Sequence, residues 1–150
     1  MALILTAPVL AGCGRGATTQ SVAGDGFRFE APGGWTVAPA SASKEKPYLL
    51  KVSVFRLLKP YRPAIKEAAI RELDDQAAAL ARDAHATIVS RQTLVVDKHD
   101  ARSYELGFAD HVEELTFVFV DRLEYELICS LPKGADTAPC ELLRSTFTLT

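Results

Sequence analysis

HVEELTFVFVDRLEYELICSL, His111 to Leu131, is the stretch from which the architecture can be worked out. From His111 to Val120, Leu115, Phe117 and Phe119 alternate with Thr116, Val118 and Val120, so both sets are suited to burial. From Leu123 to Leu131, Tyr125, Leu127 and Cys129 fall together. Only Asp121 and Arg122 separate the two runs, and so short a connection forces antiparallel pairing. Strands with apolar side chains on both faces belong inside a sheet covered on both sides. The expected faces are Leu115, Phe117, Phe119, Tyr125 and Leu127 on one, with Val118, Val120 and Ile128 on the other.

Working outward toward the N-terminus, Ala101 to Ala109 alternates with Tyr104, Leu106 and Phe108 on one side, and Ala86 to Val96 is extended and rich in β-branched residues. Ahead of these lies a helix from Ala64 to Asp83. Ile65, Ala69, Leu73, Gln76, Ala77 and Leu80 recur at helical spacing, opposite Lys66, Glu67, Arg71, Asp74, Asp75 and Arg82. The polar face has balanced charge. A helix lying on a membrane has a basic one, so this helix is expected to face a core. Pro63 suits its first turn. Earlier still, Leu50 to Leu57 reads as a strand, Ala40 to Pro47 as a polar loop, and Phe27 to Phe29 and Trp35 to Ala38 as short strands joined by a Pro-Gly-Gly turn. Beyond Leu131, Asp136 to Ser145 reads as a helix anchored by Leu142 and Leu143. The class is α+β, a central antiparallel sheet covered by two main helices.

The N-terminus carries a different kind of signal. An apolar run from Ala2 to Leu10 ends in Leu10-Ala11-Gly12-Cys13, the pattern of a bacterial lipoprotein signal. The reading is a signal peptide over 1–12, acylation of Cys13 (palmitate among the acyl groups), a flexible tether over 13–26 and one domain over 27–150. The run is too short for a spanning helix, which needs about 20 residues. The Gly/Thr/Ser-rich residues from Gly14 to Gly26 have tether composition. No Lys or Arg precedes the run, as though a basic segment stood before it. The expected location is the cell envelope, with the membrane of residence left open. With Cys13 acylated, Cys129 and Cys140 form an even pair in an oxidising compartment and are expected to make a disulfide. The net charge of −2, with no block of like charge, argues against nucleic acid as a partner.

Phe27-Arg28-Phe29, then Pro32-Gly33-Gly34-Trp35, a helix after the third strand, paired aromatic-rich strands, and a closing helix followed by Ser145-Thr146-Phe147 together resemble PsbP-like domains. That fold includes extrinsic photosystem II proteins, Ran-binding proteins of the Mog type and bacterial lipoproteins. The resemblance covers Gly26 to Phe147 and implies an α/β/α sandwich with a central antiparallel sheet. It implies no single function and carries over no catalytic residues, since function resides in sites placed on folds.

Candidate chemistry is sparse. His85 falls at a helix end, and His99-Asp100 and Asp110-His111 fall in turns expected at opposite ends of the sheet, which argues against a shared metal site. Neither a Gly-x-Ser-x-Gly elbow nor a His-Glu-x-x-His helix occurs. Glu113-Glu114 and Glu124/Glu126 have the residue type for glycoside chemistry, but an exposed hairpin uses such residues as a solvated face. Trp35 is read as a core aromatic. The expectation is no catalytic residue, no metal ligand and no cofactor. The functional reading is a membrane-anchored, non-catalytic module that binds or scaffolds an envelope protein. The alternatives are a carrier of an apolar ligand between helix and sheet, or an envelope hydrolase. Tyr61 and Arg62, beside Pro60 and Pro63, are the candidate partner contacts, with packing of Tyr61 over the helix start as the competing role.

Overall fold

The computed structural model describes residues 18–150. The chain runs through β1 (Thr19–Gly24), β2 (Phe27–Pro32), β3 (Thr36–Ala38), β4 (Ser41–Ser43) and β5 (Leu49–Arg56). A 3-10 turn (Pro63–Ile65) leads into α1 (Lys66–Asp83). Then come β6 (Thr87–Val96), β7 (His99–Gly107), β8 (His111–Val120), β9 (Leu123–Pro132), α2 (Ala138–Thr146) and β10 (Thr148–Leu149). The protein is mixed α+β, with two helices and a large antiparallel sheet. None of the described helices is long and apolar enough to cross a membrane.

Seven strands form the main sheet in the order β3-β4-β5-β9-β8-β7-β6, each antiparallel to its neighbours. The His111–Leu131 stretch sits inside it, since β8 and β9 are flanked by β7 and β5. The face assignment needs one correction. Residues directly opposite share a face of an antiparallel pair. The register pairs Val118 with Tyr125, Thr116 with Leu127 and Leu115 with Ile128. Tyr125 and Leu127 therefore join Val118, while Ile128 joins Leu115 and Phe119. Two-residue turns fix this register, and the apolar pattern alone does not, because both faces of both strands are apolar.

A second, three-stranded sheet, β1-β2-β10, is not evident from the sequence pattern. It covers the Tyr125 face together with α2. Val22, Phe29 and Ala31 pack there with Leu50, Val118, Leu127 and Phe147. Composition places Thr19–Gly24 in the flexible tether, and the structure corrects this. All six of its residues pair with β2, and Val22 is fully buried, so one apolar side chain and a partner strand outweigh a Ser/Gly-rich context. The start of that tether, the 1–12 signal and Cys13 lie outside the described residues. The loop expected from Ala40 to Pro47 likewise contains a strand, β4, which pairs with both β3 and β5 around a buried Ala42.

The opposite face of the main sheet carries α1. Leu73, Ala77 and Ala81 pack with Tyr104, Leu106, Leu115 and Phe119. Seven strands at about 4.8 Å spacing span about 29 Å, whereas one helix with its side chains covers about 10–12 Å of that width. A flank of this face is therefore left beside α1, and the candidate site lies there.

Candidate functional site

Two carboxylate clusters hold α1 to the sheet. Asp74 accepts hydrogen bonds from Nε and Nη2 of Arg102 (2.9–3.1 Å) and from the hydroxyl of the buried Tyr104 (2.6 Å). Asp100 accepts from Lys66 Nζ at 2.7 Å and from the Tyr61 hydroxyl at 2.6 Å. The Lys66 and Tyr61 hydrogen bonds hold the Asp100 carboxyl below its ordinary range. Burial, then the Asp100 hydrogen bond, pushes the Tyr61 hydroxyl well above its ordinary range.

With α1 fixed over β6 and β7, a groove opens between the helix and the β8-β9-β5 flank. Its deeper part, about 510 Å³, lies among Arg56 to Lys59, Ile65, Ala69, Glu72, Leu73, Phe119 and Glu124. A second part of about 360 Å³, lined by Phe55, Leu80, Phe117 and Glu126, shares Leu73, Gln76 and Glu124 with the first. The rim is apolar and open. Leu58 is 99% exposed, and Phe55, Leu80 and Ile65 are 44–49% exposed. Backbone hydrogen bonds from Leu57 N to Arg122 O (2.8 Å) and from Tyr61 N to Asp121 O (2.6 Å) hold the Leu58 segment against the β8–β9 turn. The floor is acidic. Burial, then Glu126 and Glu72, raises the Glu124 carboxyl. Burial also raises Glu126, against the opposing pull of Lys51.

The residues singled out from the sequence scatter across the fold. Tyr61 is buried, stacked on Phe119, and so takes the packing role rather than that of an exposed interface anchor. Its aromatic ring closes one end of the core beneath α1, and one hydrogen bond satisfies its hydroxyl. Arg62 stays exposed and pairs with Asp121. Cys129 on β9 and Cys140 on α2 form a disulfide, with Cα atoms 5.4 Å apart. His99 opens β7 at the β6–β7 turn and His111 opens β8 at the other end of the sheet. Among the described residues no group of three or more His, Cys, Asp or Glu could hold a metal. Glu113 and Glu114 point to opposite faces, Glu114 meeting Arg144 of α2 at 2.9 Å. Glu124 and Glu126 do not form a solvated face. They are half-buried in the groove floor.

The rim does not emerge from the sequence pattern, although one signal of it is present. The apolar stripe of α1 is wider than a sheet contact requires, and it splits into a buried line (Leu73, Ala77, Ala81) and a groove line (Ala69, Gln76, Leu80) that Ile65 of the 3-10 turn continues.

The fold is PsbP-like. The solution structure of cyanobacterial PsbP (CyanoP) from Synechocystis sp. PCC 6803 superposes with a TM-score of 0.60 at 14% identity, over 94% of this chain and 99% of that one. A crystal structure from Bacteroides thetaiotaomicron VPI-5482 superposes with a TM-score of 0.58 at 16% identity, over 89% of this chain. The chain spans about half of that protein, 48% of its length. At these identities the likeness is one of fold alone. No protein-family profile matches the chain, and no curated protein does.

Proposed function

We propose that the protein is a lipid-anchored envelope module, an α/β/α sandwich that binds an extended or helical segment of another protein in the groove beside α1. The observation that carries the reading is the rim, where Phe55, Leu58, Ile65 and Leu80 place four exposed large apolar side chains around one groove. Apolar residues clustered this way mark interaction sites, whereas scattered ones do not. A groove so open along its rim fits a polypeptide segment better than an enclosed small ligand, which a site usually buries over most of its surface.

Two features support a non-catalytic role. Glycoside chemistry needs two carboxyls pushed apart in acidity, one held as acid and one as anion. Glu124 and Glu126 are both raised, by the same cause. In addition, no described His, Cys or Ser lines the groove beside them. The anchor rests on Leu10-Ala11-Gly12-Cys13.

The test places a benzophenone side chain at position 58 of the full chain in cells and irradiates them. A discrete polypeptide adduct that Leu80→Asp abolishes is expected. Adducts to lipid alone would favour the carrier reading, and no adduct would end the proposal. Cys13→Ser should release the protein from membranes, and unchanged fractionation would remove the anchor from the reading.

A further inference from the structure

The short span between the acylation motif and the first strand fixes which end of the domain meets the membrane. Cys13 stands five residues ahead of Thr18. From Thr18 onward the chain is held. Gly33 N donates to Thr18 O at 2.7 Å, a Cβ on Gly33 would collide with Thr18, and β1 is paired from its first residue. Five residues reach at most about 18 Å even when fully extended. An acyl-bearing Cys13 sits at the lipid–water boundary. The surroundings of Thr18 are therefore confined to a shallow zone above the bilayer, not the longer range that a tether reaching to Gly26 would give.

Those surroundings form a depression of about 430 Å³ walled by Trp35, Tyr48, Lys44, Pro139 and Leu142. Trp35 and Tyr48 meet edge to face at 5.7 Å, and the Lys44 ammonium lies 4.9 Å from the centre of the Tyr48 ring. Asp136 also borders it, but its carboxylate accepts the Ala138 N–H at 3.0 Å at the start of α2. Lys44 makes no ion pair among the described residues, so it supplies the available cation. Tyr48 and Lys44 are side chains of the kind that anchor protein at the headgroup level, the ring being amphipathic and the cation matching phosphate, while Trp35, only 8% exposed, forms the buried wall behind them.

We propose that the Trp35–Tyr48–Lys44 depression docks on the bilayer that holds Cys13 and takes a phospholipid phosphate beside Lys44. The inference rests on the lipid-anchor reading. The depression borders the core shared with the small sheet, whereas the α1 groove lies on the other face of the seven-stranded sheet. Docking in this way leaves the groove open to a partner.

Trp35 is the only tryptophan, so its fluorescence reports on this pole alone. The experiment reconstitutes the acylated full chain into phosphatidylethanolamine/phosphatidylglycerol vesicles that carry a headgroup nitroxide lipid. Trp35 emission is expected to fall at least twofold. In Lys44→Glu most of that quenching should be lost, with vesicle sedimentation and melting temperature unchanged. Acylated protein that sediments with vesicles while Trp35 stays bright overturns the docking and leaves the anchor intact. Quenching that Lys44→Glu does not alter overturns the phosphate contact. Native protein whose mass shows no acyl chain overturns both readings.

Discussion

Tyr61 stacks on Phe119, ring centroids 4.7 Å apart and planes 12° from parallel. The contact joins the segment after β5 to the C-terminal end of β8 and closes one end of the core beneath α1. It also sets the depth of the groove, since Tyr61 and Phe119 both line it.

Tyr61→Ala is therefore expected to destabilise the domain by about 3–5 kcal/mol, the usual cost of removing a large buried aromatic side chain. Tyr61→Phe keeps the stack and loses only the hydrogen bond to Asp100, at a cost of about 1 kcal/mol. Urea unfolding of both variants checks the pair. A Tyr61→Ala protein within about 0.5 kcal/mol of the parent, the range of a surface substitution, would return Tyr61 to the role of interface anchor.

The Cys129–Cys140 bridge ties the buried face of β9 to α2 across a sequence separation of 11. Closing a loop of that order contributes about 3 kcal/mol on the chain-entropy account. Reductant should lower the melting temperature by several degrees, and peptide mapping without reductant should recover the linked peptides. Both thiols alkylated in native exported protein would contradict the bridge.

The stack and the bridge mark the two sides of what a sequence can tell. The pairing of β8 with β9, the long helix and the disulfide are legible because each follows from a local pattern or from cysteine parity. The three-stranded sheet is not. Val22 is one apolar residue among Thr, Gln, Ser, Ala and Gly, and the two-residue β10 carries no periodicity at all. The groove is illegible for a related reason. An apolar stripe on α1 does not say how much of its width the sheet will cover, and Leu80 has the spacing of a core residue but is 47% exposed. Glu124 and Glu126 read as solvated because alternation assigns a residue to a face, not to a depth.

His85 illustrates a backbone role hidden behind a chemically suggestive side chain. It follows the end of α1 with φ at +56°. Its N–H donates to Arg82 O, and the N–H of Ala86 donates to Ala81 O at 2.8 Å, the paired bonds of a Schellman motif. The left-handed conformation costs a non-glycine residue about 1–2 kcal/mol. His85→Gly is expected to stabilise the domain by about 1 kcal/mol in chemical denaturation, the lower end of that strain. A loss of stability instead would mean that the imidazole contributes more than the backbone strain costs.

Glu124 gives the pH dependence its sign. Burial, then Glu126 and Glu72, raises its folded-state pKa above the ordinary value of 4.5. Between the ordinary and the raised value the unfolded chain has released its proton while the folded chain still holds it. The unfolded state then binds fewer protons, so stability falls as pH rises through that window, and the loss is complete above the folded-state value. Glu124→Gln removes the ionisation. It should match the parent below the ordinary pKa and be more stable at neutral pH, with the gap opening as pH rises. Glu126→Gln should show a smaller gap, because Lys51 already favours the Glu126 anion. Urea midpoints of the three proteins, followed from about pH 3.5 to about pH 7.5 so as to bracket the ordinary carboxyl range, decide the matter. Parallel curves would mean that Glu124 is fully solvated and the groove floor is not acidic in the sense described.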